Sequence, residues 1–253
     1  MMQGLNPLAI VSKGLDSLAL SLGHAPDPKT LKTPDERKAA YIRWAITLYV
    51  YSVVAHIRTV LRGLIVLADA GNIPTGMVVC RHVFEWAAQV CYMNENLQKH
   101  TAAKDWDTAR DLLNQAMIGN RWVKEYGHKY DPAHVKAAVP NTIRLKKALA
   151  SYEAHVEKVF GGDAKDDYAH LSEHSHPNSA CFQQYHDGDV PGGEMRFKEP
   201  TSGSPLPVVN WCLIDLCTLL LELLGLSGEK TIRPQIAAIL KELAQLALGK
   251  QRN

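Results

Sequence analysis

At 253 residues the chain can bury a substantial core, and 46% hydrophobic with 21% charged residues is an ordinary globular composition that excludes a disordered or low-complexity protein. The formal charge of +2 leaves no overall electrostatic bias toward nucleic acid or membrane, although Arg144, Lys146 and Lys147 offer a local basic face. Five cysteines make no CxxC pair and no even framework, so they read as free thiols of a reducing compartment, with Cys80 and Cys91 inside an apolar helix. No stretch has the order of an export signal. The two most hydrophobic stretches, 44–57 and 211–226, are interrupted by His56 and by Asp215 and Glu222, which predicts core helices of a cytoplasmic protein with no membrane contact.

Leu8, Val11, Leu15, Leu18 and Leu22 recur at steps of three and four, one apolar stripe on an amino-terminal helix that must pack on the chain's own core or on a second subunit. After a linker with two prolines, Thr33-Pro34-Asp35-Glu36 predicts a helix start: Thr33 caps, proline suits the first turn and Glu36 closes a capping box. That helix is expected to reach residue 70 and stop at Gly71-Asn72. Pro74 opens the next, to about 96, apolar nearly all round and therefore central. Further helices are expected at 105–126, at 141–160 with Gly161-Gly162 as its stop, and at 163–175, broken at His176-Pro177. Residues 178–205 read as a long loop carrying a small hairpin around 182–185 and 195–198, and helices at 207–226 and 232–248 close the chain.

Two segments hold more polar chemistry than an apolar core needs. Arg81 and Glu85 share a helical face with Met77, Val78, Ala88 and Tyr92, so if that face is interior each charge needs a partner. Either they are an ion pair that fixes helix register, or Arg81 faces a cleft and binds an anion while Glu85 orients it. Downstream, Tyr168, Ser172 and Ser175 follow one another at single-turn spacing, with His176 next. Taken inward, His176 could act as acid or base near neutral pH, Tyr168 could donate to a developing negative charge, and Ser172 would sit between them. The bland alternative is a satisfied structural network. His170 and His174 are also four apart, with Glu173, His186 and Asp187 nearby, but neither an HExxH arrangement nor a cysteine pair accompanies them, so no metal and no cofactor is expected. His56 reads as a satisfied core histidine, and Asp215, Thr218 and Glu222 as a solvated stripe.

The pairing of an R-x-x-x-E helix (Arg81, Glu85) with a later Y-x-x-x-S-x-x-x-H-P segment (Tyr168, Ser172, His176, Pro177) resembles the bacterial family called domain of unknown function 5677, over about residues 40 to 225. The resemblance implies an all-α fold distantly similar to the HEPN helical domains, some of which are metal-independent ribonucleases of toxin and phage-defence systems. Those carry an arginine and a histidine with four to six residues between them at a dimer interface. Arg121 and His128 have that spacing here, with Trp122 where the ribonuclease motif usually has a polar residue.

These readings converge on an all-α bundle of about seven helices, with residues 1–32 as an amphipathic arm and 33–253 as one domain, assembling as a homodimer through the leucine stripe and the apolar carboxy-terminal helices. The expected function is a HEPN-like protein of a bacterial stress or phage-defence system that cleaves RNA through Arg81, Glu85, Tyr168, Ser172 and His176. The alternative is a non-enzymatic module that binds an anionic ligand or a partner protein and keeps the same cluster for structure.

Overall fold

The computed structural model describes residues 7–117, 141–175, 186–187, 196–197 and 206–250. They form an all-α bundle. In chain order the helices are α1 (Pro7–Asp16), α2 (Pro34–Asp69), α3 (Ile73–Ala102), α4 (Trp106–Met117), α5 (Asn141–Phe160), α6 (Ala164–Ser175), α7 (Leu206–Ser227) and α8 (Arg233–Lys250), eight among the described residues. A short antiparallel ladder, β1 (His186–Asp187) with β2 (Arg196–Phe197), pairs His186 with Phe197. Its second strand falls where the hairpin is expected, whereas its first begins just after 182–185. Most of the expected loop, 178–205, lies outside the described residues, as do Arg121 and His128.

The capping chemistry read from the sequence sets the helix ends. Thr33 accepts from the Glu36 amide while the Glu36 carboxylate takes the Thr33 and Lys32 amides, a complete capping box. Gly71 and Gly161 adopt φ of 66° and 65° after α2 and α5, the left-handed conformation that lets the chain leave a helix without a Cβ clash. Asp163 accepts from the amides of Lys165 and Asp166 to start α6. Helix α3 runs past the expected end near 96 to Ala102. No breaker stands at 96, Leu97 is fully buried and favours one more turn, and Lys99 and His100 suit the negative end of the helix dipole. The actual stop is Lys104, at φ 55°.

Helix α3 is central, as its all-round apolar surface predicts: it touches α2, α4, α5, α6 and α7. Phe84 sits at the heart of this layer, its ring 5.2 Å from Tyr152, 5.4 Å from Tyr168 and 5.9 Å from Trp211. The leucine stripe of α1 is covered by the chain itself. Leu8, Val11, Leu15 and Leu18 are buried in the common core, and α1 packs on α2, α7 and α8. Gly14 lies so close to α8 that a Cβ there would run into the Ile239 side chain. The Arg58 guanidinium donates to the carbonyls of Leu15 and Leu18 and so satisfies the end of α1. Stretches within Pro34–Asp69 and Val208–Ser227 are long and apolar enough, by length and composition alone, to cross a membrane; 39% and 56% of these are buried in the fold.

Candidate functional site

Three of the five residues singled out from the sequence meet. Arg81 Nε donates to Glu85 Oε1 at 2.9 Å and Arg81 Nη2 donates to the Tyr168 hydroxyl at 3.2 Å. Tyr168 in turn donates to Glu85 Oε1 at 3.0 Å, which closes a triangle between α3 and α6 across 87 residues of sequence. The local reason is helical spacing: Arg81 and Glu85 lie one turn apart on α3, and α6 crosses there with its Tyr168 face inward. The guanidinium also lies 5.4 Å from the Tyr168 ring centroid.

Electrostatics keep Arg81 and Tyr168 each in one protonation state. Burial disfavours the Arg81 cation, but Tyr168 and Glu85 outweigh it and hold Arg81 above its ordinary value. Burial, followed by the Glu85 charge, pushes the Tyr168 phenol up, so it remains a neutral donor. Ser172 lies one turn beyond Tyr168 on α6, its hydroxyl oxygen buried. His176 lies outside the described residues.

The triangle is not sealed. Arg81, His82 and Glu85, with Val78 and Val79, form one wall of a cleft of about 450 Å³ whose other wall is Thr59, Val60 and Gly63 of α2. No atom stands within 4 Å of a Cβ built at Gly63, so the missing side chain keeps the cleft open there. Glu85 and Arg81 side chains are 20% and 23% exposed, intermediate between a core pair and a surface one.

Sequence reasoning missed the two histidines beside the cleft. His56 is exposed on α2, not a core residue, and its Nε2 meets His82 Nε2 at 2.8 Å. Trp86 Nε1 donates to that same His82 nitrogen at 3.1 Å. An indole N–H only donates, so His82 Nε2 is the acceptor, its ring proton sits on Nδ1, and His56 Nε2 must carry the hydrogen between the rings. Burial, then the neighbouring His82, lowers His56 below the ordinary histidine value. Their separation of 26 residues, split between two helices, leaves no local motif to find.

A second polar layer lies further along α3, against α5 and α7. His155 Nε2 meets Asp215 Oδ1 at 3.0 Å, and Asp215 is only 3% exposed. That corrects the reading of Asp215 as solvated. Helix α7 is apolar almost all round, so its single inward carboxylate had no polar face to mark it. Glu222 is exposed as expected but accepts from Asn94 and Gln98. Nearby, Cys91 Sγ lies 4.0 Å from Glu95 Oε1, and Ser151 donates to Glu95 Oε2. Burial, then the charges of Glu95 and Asp215, push the Cys91 thiol up to about 12. Cys80, Cys91, Cys212 and Cys217 are all buried free thiols.

No family model, no curated protein and no solved structure matches the chain.

Proposed function

We propose that the α2–α3 cleft is an anion-binding active site that cleaves RNA without a metal, in a HEPN-like helical protein of a bacterial stress or phage-defence system. The observation that carries this reading is the exposure of Arg81, His82 and Glu85 together on one cleft wall. A buried ion pair kept only for helix register needs no opening to solvent and no histidine pair beside it. In this reading Arg81 holds the phosphate oxygens while Glu85 and Tyr168 fix its orientation. The RNA 2′-hydroxyl oxygen attacks phosphorus and its proton passes to His56 Nδ1, the nitrogen left free when Nε2 faces His82. The bond from phosphorus to the 5′ oxygen breaks, that oxygen takes a proton from solvent, and the other product ends in a 2′,3′-cyclic phosphate.

The test uses two variants that attack the cleft differently. Gly63→Leu fills the cleft without touching a charged residue, and because the site is helical and open it should leave the fold intact. Under this proposal Gly63→Leu abolishes cleavage of single-stranded RNA and Arg81→Ala slows it by about 10²–10³, both with melting temperatures near wild type. Wild-type protein that neither cleaves nor binds RNA overturns it.

A second reading, a non-enzymatic module with a structural cluster, draws on the closure of the Arg81–Glu85–Tyr168 triangle. It predicts that Arg81→Ala costs about 3–5 kcal/mol of stability, as a broken buried pair does, and that Gly63→Leu changes no binding.

A further inference from the structure

We propose that Cys91, Glu95 and His155 form an open three-ligand site for a divalent transition metal, zinc by preference, where α3 meets α5. One ligand atom from each residue lies within 4.8 Å of the others. A tetrahedral zinc with sulfur at about 2.3 Å and nitrogen or oxygen at about 2.0 Å needs neighbouring ligands roughly 3.5 Å apart. The 4.0 Å between Cys91 Sγ and Glu95 Oε1 is therefore within a small side-chain adjustment of a chelating geometry. Cys91 and Glu95 stand one turn apart on α3 and His155 approaches from α5, so the three converge without backbone movement. Thiolate, imidazole and carboxylate together are a donor set that suits zinc and disfavours magnesium or calcium.

The surroundings are those of a metal site rather than a chance meeting. Outer contacts that orient the ligands are already in place. Asp215 takes one nitrogen of His155, the carboxylate–histidine pairing that fixes a metal-bound imidazole, and Ser151 takes the second oxygen of Glu95. Independently, Asp215 is 97% buried, and its bonding partners are the His155 imidazole and the neutral Tyr152 phenol. A carboxylate held so in the interior is costly unless positive charge is close. Among the described residues no lysine or arginine forms an ion pair or hydrogen bond with Glu95, Asp215 or Glu222. Among the described residues Asp215 ion-pairs only with His155, which is charged only when protonated; a dication bound at His155 supplies positive charge in place of that proton. Glu95 is exposed and His155 partly so, which gives the ion a route in, while Cys91 is fully buried behind them. Three protein ligands leave a fourth position for water or a further ligand.

This site is separate from the cleft and does not rest on its assignment. It departs from the expectation of no metal, which rests on histidine spacing; two of these ligands are not histidines and the third is on another helix.

The test is direct metal binding by the full chain. After chelator treatment and dialysis, cobalt(II) is titrated in and followed by absorption, with zinc titration followed by melting temperature. The proposal expects one equivalent bound per chain, a thiolate-to-cobalt charge-transfer band, and a higher melting temperature with zinc. Cys91→Ser and His155→Gln should each lose the band and at least tenfold in affinity, and Cys217→Ser, a buried thiol elsewhere, should lose neither. Should Cys91→Ser fail to fold, Glu95→Gln on the exposed side of the site carries the same expectation of at least tenfold weaker binding. Wild-type protein with no charge-transfer band, or the same affinity in Glu95→Gln or His155→Gln, overturns the proposal.

Discussion

Two polar regions share helix α3, and they differ in charge balance. Around the cleft every charge meets its complement: Arg81 with Glu85, both with Tyr168, and His82 between the indole of Trp86 and the ring of His56. Nearly three turns beyond Glu85, Glu95, Asp215 and Glu222 gather with only one imidazole and neutral donors among their bonded partners. In the two proposals the first region holds an anion brought from outside and the second a cation. A single helix can serve both because successive faces of α3 meet different neighbours, α2 and α6 at the cleft and α5 and α7 at the second layer.

Phe84 stands between these regions, so its removal should disturb both. Phe84→Ala is expected to cost about 3–5 kcal/mol in urea unfolding, as for a buried aromatic truncated to a cavity. A cost under 1 kcal/mol would mean the two layers are mechanically independent. At the cleft alone, Arg81→Ala should lower kcat by about 10²–10³, the usual effect of removing a donor to a developing oxyanion. Arg81→Lys should not restore it, because an ammonium cannot reproduce the two-sided reach of Nε to Glu85 and Nη2 to Tyr168. Single-turnover cleavage measures both. Asp163→Ala removes the cap of the helix that carries Tyr168, at a cost of about 1 kcal/mol. It should weaken RNA cleavage while leaving cobalt binding unchanged, a contrast that a shared site would erase.

The smallest effect is in pH dependence. His56 sits below the ordinary histidine value of 6.5 because burial, then His82, disfavours its cation. A folded value lower than the unfolded one means that its stabilising contribution is complete above pH 6.5 and is lost as pH falls through the folded value. Melting temperature should therefore drift down between pH 7 and 5 in the wild type and drift less in His56→Gln. The acid limb of kcat/KM should lie below 6.5 for the same reason, since the base must be neutral to accept a proton.

Much of the frame was legible in the sequence because it depends on local chemistry. The Thr33–Glu36 box, the glycines that end α2 and α5, and the meeting of Arg81, Glu85 and Tyr168 all follow from residue types that an apolar helix cannot satisfy alone. What stayed hidden depends on helix rotation across long separations. His56 and His82 find each other only once α2 and α3 are docked. Asp215 turns inward on a helix with no polar face to orient a reader, and Cys91 with Glu95 acquires meaning only when α5 brings His155 alongside. The dimer expected from the leucine stripe loses that motive, since α1 is spent on its own core; dimerisation remains a proposal for light scattering.

The contact of Gly14 with Ile239 also carries a consequence for synthesis. Helix α1 is translated 225 residues before the α8 position against which it seats. At roughly 5–20 residues per second, its leucines wait about 11–45 s for that partner. During that interval the part of the stripe that seats on α8 stays open on the nascent chain, the kind of segment that holdase chaperones grip. Helix α8 thus completes a covering of α1 that α2 and α7 begin.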